Sequence, residues 1–317
     1  MKLQAENAKR KWIYYGMLGG MVLLWGIDPT VNAWFYRYYS ASILTAIQTL
    51  GAAVFFWILF WKKGERLLVA DLKIALPISL LNSVGCLLQR IGLQYTTPAN
   101  YAFLEHISCV VVPIAMFCMV RKMPSVWKVL ASVLCLSGCF LLSGMDFETN
   151  RITFGIGEFL CSSAGILYGI SLSMTGVYGN KMNLNLYISV HMTVYFLVAV
   201  AMAAGLSWCK VNGVPLEVPV FSPNPLRILF LFVFGLLTVG IGWLLRTEAA
   251  RHLEPTVVAV VSPFSAVLAS VISVCFGMDR LNGNLVFGSG IILVAALISG
   301  ISDAREKKWK NALKESQ

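Results

Sequence analysis

The sequence predicts an all-α membrane protein with ten transmembrane helices in two inverted-topology five-helix repeats. Three observations predict it. First, 58% of the 317 residues are hydrophobic and only 13% are charged, whereas a soluble domain is nearer half apolar and a quarter charged. Second, apolar runs long enough to cross a bilayer, about 20 residues each, recur along the whole chain. Third, two stretches with the same turn and proline signals recur in the same order in each half. The 25 Lys and Arg and 15 Asp and Glu cannot coat a water-soluble protein of this size. A cytosolic enzyme, a disordered chain and a soluble nucleic-acid binder are therefore excluded.

The spans fall near 12–32, 40–61, 72–95, 98–120, 126–144, 154–178, 184–208, 226–250, 256–277 and 285–302. No segment alternates apolar and polar residues at period two, which argues against a β-barrel. Helices satisfy every backbone amide internally, as lipid requires. Span one is too long for a cleavable signal peptide and is followed at once by span two. Basic residues cluster on one side of the connections, at Lys9 to Lys11, Lys62, Lys63, Arg66, Lys73, Arg121, Lys122, Lys128, Lys181 and Arg251, and in the tail from Arg305 to Lys314. The other side carries only Arg37, Arg151, Lys210, Arg227 and Arg280. By the positive-inside rule, both termini are expected in the cytoplasm of a plasma- or inner-membrane protein, and an even number of spans agrees. The connection 209–225, with four prolines, reads as an external linker without a fold of its own.

The internal repeat sets Leu93 to Asn100 beside Ala250 to Val257, each running into an apolar helix. Pro113 lies within the first of these helices and Pro263 within the second. Leu24-Trp25-Gly26 is echoed by Leu167-Tyr168-Gly169. The expected units are a first repeat over 1–148, a second over 149–302 and a basic cytoplasmic tail over 303–317. Because five is odd, the second unit crosses the membrane in the opposite sense, an arrangement that usually encloses a central site near the midplane.

On these motifs the chain resembles the drug/metabolite transporter superfamily, in its ten-helix EamA-like branch. Leu23-Leu24-Trp25-Gly26 looks like that family's opening motif. Gly92 to Pro113, with Tyr95-Thr96-Thr97, Asn100 and Val110 to Pro113, looks like its third-to-fourth helix junction, and Gly277-Met278-Asp279-Arg280-Leu281 resembles its Gly-Glu-Arg-Leu turn. The resemblance implies transport of small metabolites, often export of amino acids or related compounds, with each half forming one wall of a cavity lined by spans one, three, four, six, eight and nine. The chain departs from the pattern at Gln48, where the family has Arg, and in span nine, where the Glu-Pro pair is missing.

Polar side chains at membrane depth nominate the site. Glu105 is expected near the midplane, as a proton-coupling group or a counter-ion for a cationic substrate, the alternative being a protonated acid bonded to a neighbouring helix. Asn82, Cys86 and Gln89 share one face of span three, and Trp25, Asp28 and Asn32 one face of span one. Glu158, Ser162, Gly165 and Tyr168 do the same in span six, and Tyr187, His191 and Tyr195 form a stripe in span seven. The candidate substrate-binding set is Trp25, Asp28, Asn32, Asn82, Gln89, Glu105, Tyr168 and His191. Individually, Asp28 and Glu158 could be solvated near the outer surface, Gln48 could only cross-link spans two and one, and His106 reads as a core histidine with one partner. Arg90 and Arg246 suit snorkelling or substrate contact equally. Gly16-x-x-x-Gly20 and Gly165-x-x-x-Gly169 permit close helix approach, within the bundle or in a homodimer.

Of the eight cysteines, all but Cys209 fall inside spans and are expected to be buried thiols, with no metal-ligand set. There is no phosphate loop and no catalytic signature, so neither a cofactor nor catalytic residues are expected, and transport would have to follow or be coupled to a gradient. The resulting expectation is a secondary transporter of an amino acid, amine or related zwitterionic or cationic metabolite. The partners are that substrate, the lipid bilayer and a proton or other ion, and not nucleic acid. An intramembrane enzyme, a lipid flippase and a partner-binding membrane subunit are the alternatives.

Overall fold

The computed structural model describes residues 2–95, 101, 104–121, 123–142, 155–205, 208, 210–211, 214–215, 217, 220–275 and 283–315, with side chains outside 2–11, 142, 210–215, 273, 285, 303–304 and 306–315. Among these residues the chain forms ten helical spans, each matching an apolar run in the sequence. They are α1 (Lys2–Phe35), α2 (Ala41–Lys62), α3 (Val69–Gly92), α4 (Ser108–Val120), α5 (Val126–Leu142), α6 (Ile156–Tyr178) and α7 (Leu184–Gly205). α8 comprises Pro225–Gly235, the π-helical Leu236–Ile241 and Gly242–His252. α9 is split into Pro255–Val261 and Phe264–Cys275, and α10 is Gly283–Glu315. Six of the spans are long and apolar enough to cross a membrane, and α4, α5 and α10 contribute shorter apolar stretches. Large side chains such as Leu23, Phe55, Ile58, Ile114, Phe159, Leu197, Phe230 and Leu297 are exposed around the bundle, the surface that lipid covers in a membrane protein.

Local signals explain where the helices begin and end. Asn224 accepts the Arg227 amide at 3.1 Å and Pro225 occupies the first turn, so α8 starts there. Glu158, half-exposed at the start of α6, accepts the Gly155 amide at 3.0 Å and so caps the helix. Arg121, with φ of 57°, ends α4.

The helix contacts are symmetric. α2 packs on α7, and α5 packs on α10. α3 packs on α6 as α8 packs on α1, α4 on α6 as α9 on α1, and α3 on α7 as α8 on α2. Exchanging each helix with the one five places later maps this set onto itself. The correspondence extends to single residues. A methyl added at Gly26 of α1 would lie 2.6 Å from Leu268 of α9, and one added at Gly169 of α6 would lie 2.6 Å from Val111 of α4. Gly165-x-x-x-Gly169 thus serves packing inside the bundle, where Gly165 meets the Leu104 carbonyl.

The connectors sort onto two faces. On the face holding both termini, Lys128 pairs with Glu254, the Asn180 amide donates to the Arg251 carbonyl at 2.8 Å, and Asn185 donates to Glu65. On the opposite face the described residues of the α7–α8 connector make several backbone and side-chain contacts. Lys210–Val211 pairs antiparallel with Val214–Pro215, Tyr39 bridges Phe221, and Glu217 accepts both the amide (2.9 Å) and the hydroxyl of Ser42 at the start of α2. The 209–225 connector, expected as an external linker without a fold of its own, is anchored through its described residues to Tyr39 and Ser42, at the corner between α1 and α2.

Candidate functional site

Two helix breaks and one helix bulge shape the centre. The helical residues 104–105 are separated from α4 by a turn at His106–Ile107, and α9 is broken at Ser262–Pro263. Placing Pro98 on Pro255 superposes these breaks to within a residue, so the counterpart of the Pro263 break is His106 and not Pro113. Midway along α8, the π-turn Leu236–Ile241 frees a carbonyl, and the Trp25 indole donates to Thr238 O at 3.0 Å. Gly242 makes room for this: an added methyl would sit 2.4 Å from Trp25 Nε1. At its counterpart Gly85 an added methyl would lie 3.2 Å from the Tyr168 ring.

Between the halves lies a cavity of about 390 Å³, within the range of small-molecule sites. Its walls come from α1, α3, α6, α7, α8, α9, the start of α4 and the residues just before it. Towards the face opposite the termini it reaches Ala33, Leu93 and Ser270; at its deep end it meets Arg246 and Ala259. Below that, on the terminal face, the bundle is filled by buried Leu18, Met21, Ala249, Ala250 and Leu253. The Tyr14 ring also stacks on His252 there at 4.1 Å.

Two polar networks face the cavity. In the first, Arg90 donates to Thr45 Oγ1 at 2.8 Å and to Gln48 Oε1 at 2.9 Å, and pairs with Asp28 at 3.5 Å. Asn32 donates to Asp28 at 2.7 Å and accepts from Gln48 at 2.8 Å. Asp28 and Arg90 therefore neutralise each other inside the bundle. Arg90 does not snorkel, Asp28 is not a surface acid, and Gln48 joins α1, α2 and α3. In the second network, Tyr168 donates to Gln89 Oε1 at 2.5 Å and Gln89 donates to Glu105 at 2.5 Å. Glu105 is thus joined to α3 and α6 by a chain of two hydrogen bonds and also borders the open space. His106 borders it too, with Nε2 unpartnered among the described residues.

Of the eight residues nominated from the sequence, Trp25, Asp28, Gln89, Glu105 and Tyr168 line the cavity. The other three stand behind its wall. Asn32 holds Asp28 in place. Asn82 accepts from Ser171 and donates to Tyr187 at 3.2 Å. His191 is fully buried, between Tyr187 and Tyr195 at 5.8 and 6.0 Å and against Trp243 at 4.8 Å.

Sequence reading did not single out Trp243 or Thr238, and it left Arg246 undecided. Arg246 is buried, lines the cavity, and lies over the rings of Trp243 (4.7 Å) and Trp25 (5.9 Å). The repeat itself carried the missing signal. The same Pro98–Pro255 alignment sets Cys86 against Trp243, Gln89 against Arg246 and Glu105 against Ser262, all of which border the cavity. Elsewhere Cys109, Cys135 and Cys139 cluster in the core, with Cys109 and Cys135 sulfurs 3.7 Å apart. No metal-binding group was found among the described residues.

A two-repeat helical membrane bundle around a central polar cavity is the architecture of a membrane transporter. The pattern of the EamA-like transporter family matches residues 11–144 and 155–301, and the chain belongs to that family. A protein of Archaeoglobus fulgidus named as an uncharacterized transporter is 23% identical over 294 residues, covering 93% of this chain and 87% of the relative. A solved crystal structure, 12% identical, superposes with a TM-score of 0.75 over 91% of this chain and 96% of its own; it shares the fold.

Proposed function

We propose that the protein carries a small zwitterionic or cationic metabolite across the cell membrane by alternating access, with both termini in the cytoplasm and Glu105 coupling transport to protons. The observation that supports this most is the asymmetric closure of a symmetric bundle: the central cavity runs to the face opposite the termini, while buried apolar side chains, the Tyr14–His252 stack and the Lys128–Glu254 pair fill the terminal face. In a two-fold scaffold, exchanging the arrangements of the two halves would close the first face and open the second. Glu105 suits coupling because it borders the cavity and is held by one amide rather than by a cation, so it can gain or lose a proton without breaking an ion pair. The Asp28–Arg90 pair suits a structural hinge between α1, α2 and α3.

Reconstitution into liposomes tests the reading. Solute uptake should follow an imposed pH gradient in the native protein. Glu105→Gln should abolish that response even where weakened downhill exchange persists. Unchanged pH-driven flux in Glu105→Gln would remove the coupling role, and absence of flux for any small metabolite would remove the transport reading.

A further inference from the structure

We infer that Arg246 is the anchor for a carboxylate of the transported solute, which narrows the substrate class to carboxylate-bearing zwitterions and excludes simple amines. The inference rests on the cavity being the transport site.

The charged groups of the cavity are not equally occupied. Arg90 has a carboxylate and two side-chain acceptors. Asp28 has Arg90 and Asn32. Glu105 has the Gln89 amide. Arg246 has none of these: among the described residues its guanidinium makes no ion pair within 4.0 Å and no hydrogen bond. It is only 7% exposed, and what exposure it has borders the cavity.

A guanidinium held inside a membrane bundle without an anion is costly. Two indoles offset part of that cost through their ring faces, but an indole ring offers no in-plane acceptor to the five N–H donors of arginine. Those donors match a carboxylate in a two-pronged contact, which a lysine or an amide would not reproduce. The opposite pole lies in the same space. Glu105 borders the same cavity as Arg246 and makes no ion pair with it within 4.0 Å. A solute with its carboxylate on Arg246 and its ammonium toward Glu105 would complete both groups. The rings of Trp25, Trp243 and Tyr168 would then cover its apolar part.

The test uses the full chain in lipid nanodiscs and follows thermal melting with four sets of probes: neutral L-amino acids, their amides, their N-acetyl derivatives, and the corresponding decarboxylated amines. Free amino acids should raise the melting temperature most and N-acetyl derivatives less, because both keep the carboxylate but only the former keep the ammonium; amides and amines should not. Arg246→Gln should weaken the amino-acid response about tenfold or more, the loss expected for a charge-assisted contact. Arg246→Lys should keep part of it, which separates a binding role from a folding defect.

Amides and amines binding as well as the acids, with Arg246→Gln unchanged, would overturn the inference, as would no response to any carboxylate probe. Uptake of the same radiolabelled probes into liposomes separates the two readings. Amine flux that ignores Arg246 leaves a transporter without this anchor, whereas no flux of any probe removes the transport reading itself.

Discussion

The two walls of the cavity share a backbone plan and differ in chemistry. Gly85 seats Tyr168 and Gly242 seats Trp25, and the α4–α6 and α1–α9 crossings are closed by glycines at matching places. Yet Gln89 and Glu105 on the first-half wall correspond to Arg246 and Ser262 on the second. Asp28, paired with Arg90, corresponds to Ser171, which donates to Asn82 behind the wall. The two halves thus repeat one set of helix crossings, as the proposed alternating access requires. The side chains break the equivalence, which oriented binding of a solute with unlike ends needs.

Substitutions at matched positions sharpen this contrast. The largest effect is expected at Asp28. Asp28→Ala leaves the buried Arg90 guanidinium without its carboxylate and should cost about 3–5 kcal/mol, read as a large fall in melting temperature; Ser171→Ala removes a neutral hydrogen bond and should cost about 1 kcal/mol. Equal losses at the two sites would mean that the chemical asymmetry does not reach the energetics. Next come the two ring seats. Gly242→Ala places a methyl 2.4 Å from Trp25, against 3.2 Å from Tyr168 for Gly85→Ala. Overpacking of about 1–3 kcal/mol is expected at Gly242 and clearly less at Gly85, where the ring can give by a few tenths of an ångström. The smallest effect is Trp25→Phe, which deletes the indole donor to Thr238 O. It should cost about 1 kcal/mol and also leave the π-turn carbonyl unpaired, which hydrogen exchange at Leu236–Ile241 would report as faster opening.

Much of the fold was legible because lipid leaves few choices: apolar runs must be helices, and an odd repeat must invert. The site was legible where periodicity sufficed. Gln89, Trp25, Asp28 and Tyr168 lie on α-helical stretches whose spacing aims them inward, and Glu105 was marked by its depth alone. Asn82 and His191 share those stripes but sit one layer back, because Tyr187, Tyr195 and Trp243 fill the space in front of them, and tertiary packing has no local signature. The second-half wall was harder to see. The π-turn inserts its own phase shift into α8, so regular spacing does not show that Trp243 and Arg246 face the centre. Arg246 also lies close enough to the span end for snorkelling to fit, until the tryptophans on either side are seen. The 209–225 connector escaped for a different reason: its contacts are with Tyr39 and Ser42 at the far end of the sequence.

Alternating access requires the terminal face to open for the solute to pass. Cysteines at positions 14 and 252, in a background lacking Cys209 and the exposed Cys118 and Cys275, can be joined by a short, cleavable bifunctional thiol reagent across the Tyr14–His252 stack. Cross-linked protein in liposomes should lose solute flux and regain it when the link is cleaved; undiminished flux through fully cross-linked protein would rule out opening at this face.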